Sequence, residues 1–224
     1  MSHDLRAPFR HIVGYTQLLK DHQDGLSGKS LHYLDSINEA AVTAGKLVDD
    51  LLSFSHLGRT SLLMHRVDMN KLVEEVLRSL APDIAGRDIV WHVAPLPDAF
   101  GDASLLRQVL SNLIDNAMKY SRMRTPAVIE IEGRASDGEC VYRVKDNGVG
   151  FDMAYVGKLF GVFQRLHRIE EFEGTGIGLA LSKRIIERHG GWVRAEGKLG
   201  AGACFWFAIP GVGRQRAVQE AAHA

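Results

Sequence analysis

The sequence predicts an α+β chain in two parts. An N-terminal helical hairpin pairs with a second copy into a dimeric four-helix bundle, and an α/β sandwich with a mostly antiparallel mixed sheet follows. Three observations predict this. Between residues 30 and 57, Leu34, Ile37, Ala41, Ala44, Val48 and Leu51 recur at alternating steps of three and four, the spacing of a coiled-coil seam. "AVIEIEG" (127–133) and "CVYRVK" (140–145) alternate apolar and polar residues, the period of half-buried strands. Asp68 and Asp102 stand as caps before amphipathic runs, and Gly190-Gly191 stops a third run, so helices are interleaved with the strands.

The elements follow in order. Residues 5–22 carry apolar positions at Leu5, Phe9, Ile12, Leu18 and Leu19, a helical pattern, and the glycines of "DGLSG" (24–28) turn the chain into the helix of 30–57. A lone hairpin cannot bury both apolar stripes. It must either pair with another hairpin as a four-helix bundle or lie on the rest of its own chain, and pairing is the expectation. Residues 56–66 read as a linker, which divides the chain into a hairpin of 1–62, a second domain of 63–213 and a flexible polar tail of 214–224. Beyond the linker, Asp68 opens a helix to about Ala85 with Leu72, Val73, Val76, Leu77 and Leu80 on one face. "DIVWHV" (88–93) is a strand, 103–120 a helix, and 127–133 and 140–145 a hairpin turned at Ser136-Asp137-Gly138. A helix over 177–189 precedes the last strands, "WVRAE" and "CFWFAIP", giving helices layered on a sheet.

Bulk composition narrows the function. Lys+Arg and Asp+Glu both number 27, so no overall charge draws the chain to nucleic acid or an anionic membrane. No apolar run is long enough to span a bilayer, and no signal segment opens the chain. The two cysteines, Cys140 and Cys204, have no CxxC neighbour and read as reduced core residues of a cytoplasmic protein. The chain opens in mid-element, as a fragment of something longer would.

Four stretches carry chemistry. In "DASLLRQVLSNLIDNAMKYS", Leu106, Val109, Leu110, Leu113 and Ala117 face a core, while Gln108, Asn112, Asn116 and Lys119 share the opposite face. Asn offers a neutral oxygen to Mg2+ and Lys a point charge to phosphate; a solvated polar face is the alternative reading. "VKDNGVGFD" ends a strand with Asp146, which can accept hydrogen bonds from an exocyclic amine such as that of adenine, and adds Gly148 and Gly150, which let backbone approach a ligand. "GTGIGL" places Gly174, Gly176 and Gly178 before a helix whose N-terminus favours an anion, though no GK[ST] of a P-loop follows and no strand of a dinucleotide fold precedes. Between the glycine stretches, Phe160 and Phe163 supply apolar anchors, and Lys158, Arg165, His167 and Arg168 supply positive charge, the composition of a lid over a polyphosphate.

In this order, the four stretches resemble the ATP-binding domain of sensor histidine kinases, in the superfamily shared with type II topoisomerases, ninety-kilodalton heat-shock chaperones and mismatch-repair ATPases. "SNLIDNAMKYS" is similar to the N box, "DNGVGFD" to the first glycine box, "KLFGVFQR" to the F box and "GTGIGLALSKRIIERHGG" to the second glycine box. "SHDLRAP" resembles the H box of the dimerisation hairpin, and "VFQRLHRIEEFEGTGIGLA" resembles the phytochrome-associated branch. The resemblance implies that Asn116 coordinates Mg2+ with Asn112 beside it, that Lys119 and Tyr120 contact phosphate and nucleoside, and that Asp146 reads the adenine amine. It also implies that Arg165 approaches the γ-phosphate and that Gly174, Thr175, Gly176, Gly178 and Leu179 wrap the phosphates. The hydrolysing cousins carry Glu at the position of Asn112, and Asn cannot act as a base, so ATP should be held without efficient loss of phosphate to water.

The resemblance further implies that His3 receives the phosphoryl group and passes it to a response-regulator aspartate, within a homodimer whose upstream sensor domain is absent here. Asp4, accepting Nδ1–H of His3, would fix the tautomer and free Nε2 to attack. His11 is the nearest competing acceptor and lacks an acidic neighbour; His22, His32 and His56 read as surface residues. Ala7 departs from the pattern, because family members that also dephosphorylate their partner commonly carry Thr or Asn there. The rival readings are an ATP-hydrolysing machine of the same superfamily and a non-catalytic dimeric scaffold.

Overall fold

The computed structural model describes residues 2–21, 27–57, 61–84, 86–136, 138–166, 171–172 and 174–211, with the side chains of 2–7, 56 and 83 excepted. The expectations for Asp24–Leu26, His22, Asp137, His167, Arg168 and the tail of 214–224, and for the side chains of His3, Asp4, Ala7 and His56, lie outside the described residues.

Helix α1 (Ser2–Asp21) and helix α2 (Gly28–His56) form the expected antiparallel hairpin. Ser27 caps α2 by accepting the Ser30 amide at 3.2 Å. The hairpin register is fixed by Thr16, buried and bonded to Asn38 at 3.1 Å, and by the Lys20–Asp35 ion pair. Packing on the rest of its own chain covers part of the hairpin's apolar surface. Leu47 and Phe54 of α2 pack on the core of the second part, while Ile12, Leu18, Leu19, Ile37 and Leu51 stay exposed.

Beyond the linker come β1 (His65–Val67), α3 (Met69–Leu80), β2 (Ile89–Val93), β3 (Ala99–Gly101) and α4 (Ala103–Tyr120). They are followed by β4 (Ala127–Ser136), β5 (Glu139–Asp146), α5 (Gly178–Arg188), β6 (Trp192–Lys198) and β7 (Gly202–Pro210). The main sheet has the order β2-β4-β5-β7-β6; β2 lies parallel to β4 and every other pair is antiparallel. The mostly antiparallel mixed sheet is therefore as predicted. Helix α3 stops earlier than expected, and a 3-10 turn (Ala81–Ile84) replaces its end because Pro82 has no amide to donate to the helix. The two-stranded β1–β3 pair is an addition; its strands are three residues each, too short to show an alternation.

One sheet face carries the core. Along β5 the buried positions are Cys140, Tyr142, Val144 and Asp146, and their partners on β7 include Phe205 and Phe207, so Tyr142 stacks on Phe207 with centroids 4.9 Å apart. The outer face is a charged lattice in which Arg143 bridges Glu130 and Glu132 and Lys145 joins Glu130. Against the inner face lie α3, α4 and α5, with Leu106, Leu110, Ile114, Ile177, Leu181, Ile185 and Ile186 all nearly inaccessible.

Asp102 and His189 join the ends of α4 and α5. Asp102 caps α4 by accepting the Ser104 and Leu105 amides (3.0 and 3.3 Å), and its other oxygen accepts the Leu63 amide at 3.1 Å. Burial alone would raise the Asp102 carboxyl, but these bonds and the one from the Ser104 hydroxyl outweigh it and hold the group below its ordinary range. The Asp102 amide donates to Nε2 of His189 (3.0 Å), while Nδ1 lies 2.7 Å from the Ile185 carbonyl. An amide must donate and a carbonyl must accept, so His189 is the neutral Nδ1–H tautomer.

Burial pushes the His189 pKa down from 6.5, so the native ring stays neutral where the unfolded ring takes up a proton. The stability it contributes is present above about pH 6.5 and is lost as the pH falls below that value. In urea denaturation, the gap between the wild type and His189→Gln should narrow as the pH falls from about 7.5 to about 5.5. A gap that stays constant over that range contradicts a neutral buried imidazole.

Candidate nucleotide-binding site

The core face of α4 fixes its other face. With Leu106, Leu110, Leu113 and Ile114 buried, Asn112, Asn116 and Lys119 turn toward a cleft between α4 and α5. This cleft has a volume of about 980 Å³ counted out into its open mouth. Eleven of the residues singled out from sequence line it: Asn112, Asn116, Lys119, Tyr120, Gly150, Arg165, Gly174, Thr175, Gly176, Gly178 and Leu179. Gln108 of the same helix face does not.

Asn112 spans the two helices. Its amide nitrogen donates to the Gly178 carbonyl at 3.0 Å and to the Ser182 hydroxyl at 3.3 Å, which holds the first turn of α5 against α4. Lys119 donates to Asn116 Oδ1 at 3.1 Å and lies 4.4 Å from the Tyr120 ring centroid; that ring packs on the buried Phe172. Arg165 donates to the carbonyls of Gly174 (2.8 Å) and Phe172, so its guanidinium holds the glycine segment in place at the cavity wall.

Helix α5 begins unlike its neighbours. Ser27, Asp68 and Asp102 cap α2, α3 and α4 with side-chain oxygens, whereas Ile177 at the start of α5 has none to offer. Its first amides have no side-chain acceptor among the described residues, and its first residues, Gly178 and Leu179, line the cavity. A bare helix N-terminus at a cavity wall is an anion site by dipole and by donor geometry. Gly176, at φ +71°, turns the chain into that start; a Cβ there would meet the Gln164 carbonyl at 3.0 Å.

Asp146 and Gly148 do not line the cavity. Strand parity puts Asp146 on the core side of β5, where it is 4% exposed, directly behind Ala203 of the cavity wall. Its Oδ1 accepts the Gly148 amide at 2.8 Å and the Ala203 amide at 3.3 Å; no donor among the described residues reaches Oδ2. Burial drives its pKa up to about 6, and the two amides only partly offset this. The first glycine stretch has a packing reason. At Gly148 a Cβ would lie 2.4 Å from the Tyr120 carbonyl, so glycine lets this loop close on the end of α4.

The lid departs from expectation at one residue. Its first turn is a 3-10 helix (Met153–Lys158) capped by Asp152, and Phe160 packs on the core as an anchor. Phe163, by contrast, is 57% exposed and holds a left-handed backbone at φ +61°. The chain reverses at Phe163 where Gly176 presses against its backbone, and this leaves the ring no core to enter.

Sequence reasoning missed Lys46, Asp50, Asp115, Phe151 and Gln164 in the cavity wall. Lys46 and Asp50 belong to α2, and Asp50 Oδ2 accepts the Thr175 hydroxyl at 2.6 Å. The hairpin also meets α5 where Arg184 lies over the Phe54 ring (4.7 Å) and where Arg188 donates to the Leu57 carbonyl. Asp115 could have been found, since it neighbours Asn116 on the same turn. The α2 residues gave no signal, because they occupy polar positions of a helix outside the seam.

Comparison with known proteins bears on this geometry. The model of the histidine kinase-, DNA gyrase B- and HSP90-like ATPase family matches residues 101–212, and that of the His Kinase A (phospho-acceptor) domain matches residues 1–60. Cyanobacterial phytochrome A of Nostoc is 35% identical over 96% of this chain, and the sensor protein GacS of Pseudomonas syringae is 31% identical over 93%. The chain spans only 28% and 24% of those relatives. Full-length ShkA, solved in complex with AMPPNP, superposes with a TM-score of 0.71 at 31% identity, over 93% of this chain and 44% of its own. The histidine kinase AdeS of Acinetobacter baumannii, 23% identical, shares the fold with a TM-score of 0.65 over 93% of this chain and 97% of its own.

The raised Asp146 pKa has a measurable consequence. Below about pH 3.8 the carboxyl is neutral in both states and costs nothing; above about pH 6 the native state carries a desolvated charge costing up to about 3 kcal/mol. Asp146→Asn should therefore be more stable than the wild type at about pH 8 in urea denaturation, with the difference vanishing near pH 4. A variant less stable than the wild type at pH 8 contradicts the desolvated charge.

Proposed function

Because this chain belongs to the histidine kinase family, joining its phospho-acceptor hairpin to its ATPase-type domain, we propose that it is the catalytic core of a sensor histidine kinase. Mg-ATP occupies the cleft between α4 and α5, and the γ-phosphoryl group moves to Nε2 of His3. The Pγ–O bond to ADP breaks as the N–P bond forms, and Asp4 takes the hydrogen bond from Nδ1–H and balances the charge growing on the ring. The phosphoryl group then passes to an aspartate of a response-regulator receiver domain. The domain division at residues 62–63 belongs to this reading.

The observation that carries the proposal is the uncapped start of α5, facing Asn112, Asn116 and Lys119 across one cavity. Its first amides, without a side-chain acceptor among the described residues, suit phosphate oxygens, and Lys119 adds charge beside Gly174. The neutral amide of Asn116, already paired with Lys119, suits a hard cation, so Asn116 would hold Mg2+. When bound, the ion would neutralise charge between the phosphates and orient the terminal one. Asp146 Oδ2, which no donor among the described residues reaches, would read the adenine amine only if the base enters beside Ala203, since Asp146 lies behind the cavity wall. Asn112 is spent on α5 and is no base for water, which favours transfer over hydrolysis.

Hydrolysis is the second reading, and it rests on Asp115, a carboxylate that lines the same cavity. If Asp115 activated water, Asp115→Asn would abolish phosphate release; the transfer reading expects that release to be slow and indifferent to the change.

The exposed apolar residues of the hairpin, Ile12, Leu18, Leu19, Ile37 and Leu51, support a homodimer. Action in the cytoplasm belongs to the same reading; among the described residues no helix is long and apolar enough to cross a membrane. A sensor domain upstream of the hairpin completes the proposed kinase.

Incubation with γ-labelled ATP should give acid-labile, alkali-stable label on the chain, absent from His3→Gln. Asn116→Asp should lower labelling at least about tenfold. Undiminished label in His3→Gln moves the acceptor elsewhere, and undiminished labelling in Asn116→Asp removes the metal assignment.

A further inference from the structure

The cavity is not closed by the ATPase-type domain alone. Two of its wall residues, Lys46 and Asp50, come from α2 of the hairpin and stand one turn apart on the same helix face. Asp50 has a partner in Thr175, whose hydroxyl it accepts at 2.6 Å between Gly174 and Gly176. The glycine segment is thus tied to α2, and α2 approaches the cavity closely enough for Lys46 to border it.

The three cations of the wall differ in what they already do. Arg165 is committed to the carbonyls of Gly174 and Phe172, and Lys119 to Asn116 and the Tyr120 ring. Lys46 makes no hydrogen bond or ion pair among the described residues. A flexible ammonium on a four-carbon stem, bordering a cavity with a bare helix N-terminus, is a ready phosphate ligand. Its place on the hairpin matters as well. The Thr16–Asn38 and Lys20–Asp35 contacts, with Phe9 beside Gly45, set an antiparallel register. Carried back along α1, that register puts the backbone of Asp4 level with Asp50 and that of Pro8 level with Lys46. The α2 wall of the cavity therefore lies level with the turn of α1 that begins at His3.

We propose that Lys46 is a phosphate-binding residue of the nucleotide site, supplied by the hairpin, so that the site is complete only when the two domains are docked through Asp50 and Thr175. This deepens the kinase reading and rests on a nucleotide occupying the cavity. Docking at this wall couples phosphate binding to the position of α2, and with it to the level of the acceptor histidine.

Isothermal titration of the full chain tests the proposal with two probes, AMPPNP and adenosine, on the wild type, Lys46→Ala and Lys46→Arg. The expected result is AMPPNP binding weakened about five- to twentyfold in Lys46→Ala and kept within about twofold in Lys46→Arg, with adenosine bound alike by all three. Equal adenosine affinity shows that the pocket is still folded. AMPPNP affinity in Lys46→Ala within about twofold of the wild type overturns the role of Lys46 and leaves the cavity assignment standing. A wild type that binds neither probe overturns the cavity assignment, and the role of Lys46 with it.

Discussion

One side-chain amide sets the distance on which the site depends. Asn112 reaches from α4 to the first carbonyl of α5 and to Ser182 one turn later. Both helices are already held by the sheet, with Leu110 and Ile114 of α4 and Leu181 and Ile185 of α5 in one core. Their lower faces are therefore fixed by packing, and the Asn112 span fixes their upper faces. A cavity stays open beside that span because the remaining polar residues of α4 are too short, or too committed to one another, to fill it. The same bond fixes where the amides of the uncapped α5 start. Shortening the span would close the cavity, and losing it would release Gly178 from its place in the wall.

Around that frame the chain tolerates two local costs. Asp146 is a carboxylate at a core position of β5, held there by strand alternation and supplied, among the described residues, with donors at one oxygen. Ile177 leaves the N-terminus of α5 without a side-chain acceptor. Each is unfavourable for folding and each is relieved by the same kind of ligand, one that brings an amine donor and an anionic tail. A sequence optimised for stability alone would place Asn at 146, whereas Ile177, fully buried, gives the core what it withholds from the cap.

Much of this was legible in the sequence, and the unread parts share a cause. The seam of α2, the caps Asp68 and Asp102, and the alternation of β4 and β5 are local patterns with a fixed period, and they gave the elements and their order. The polar stripe of α4 was legible for the same reason. The β1–β3 pair was not, because three-residue strands carry no period. Lys46 and Asp50 were invisible because a polar residue on a helix looks the same whether water or another domain covers it; only the packing of Phe54 and Leu57 against α5 decides which. Gly148 was read correctly as a site of close approach, but the approaching group is the Tyr120 carbonyl of the chain itself.

The central claim is that a nucleotide fills the space between α4 and α5 with its phosphates at the start of α5. Hydrogen–deuterium exchange of the full chain, with and without AMPPNP and Mg2+, tests it directly. With a nucleotide bound there, exchange slows at the amides over 174–181, where α5 begins, and over 112–120 of α4, with the outer strand β6 unchanged. Slowing that is absent from the start of α5, or that falls on the outer face of the sheet, contradicts it.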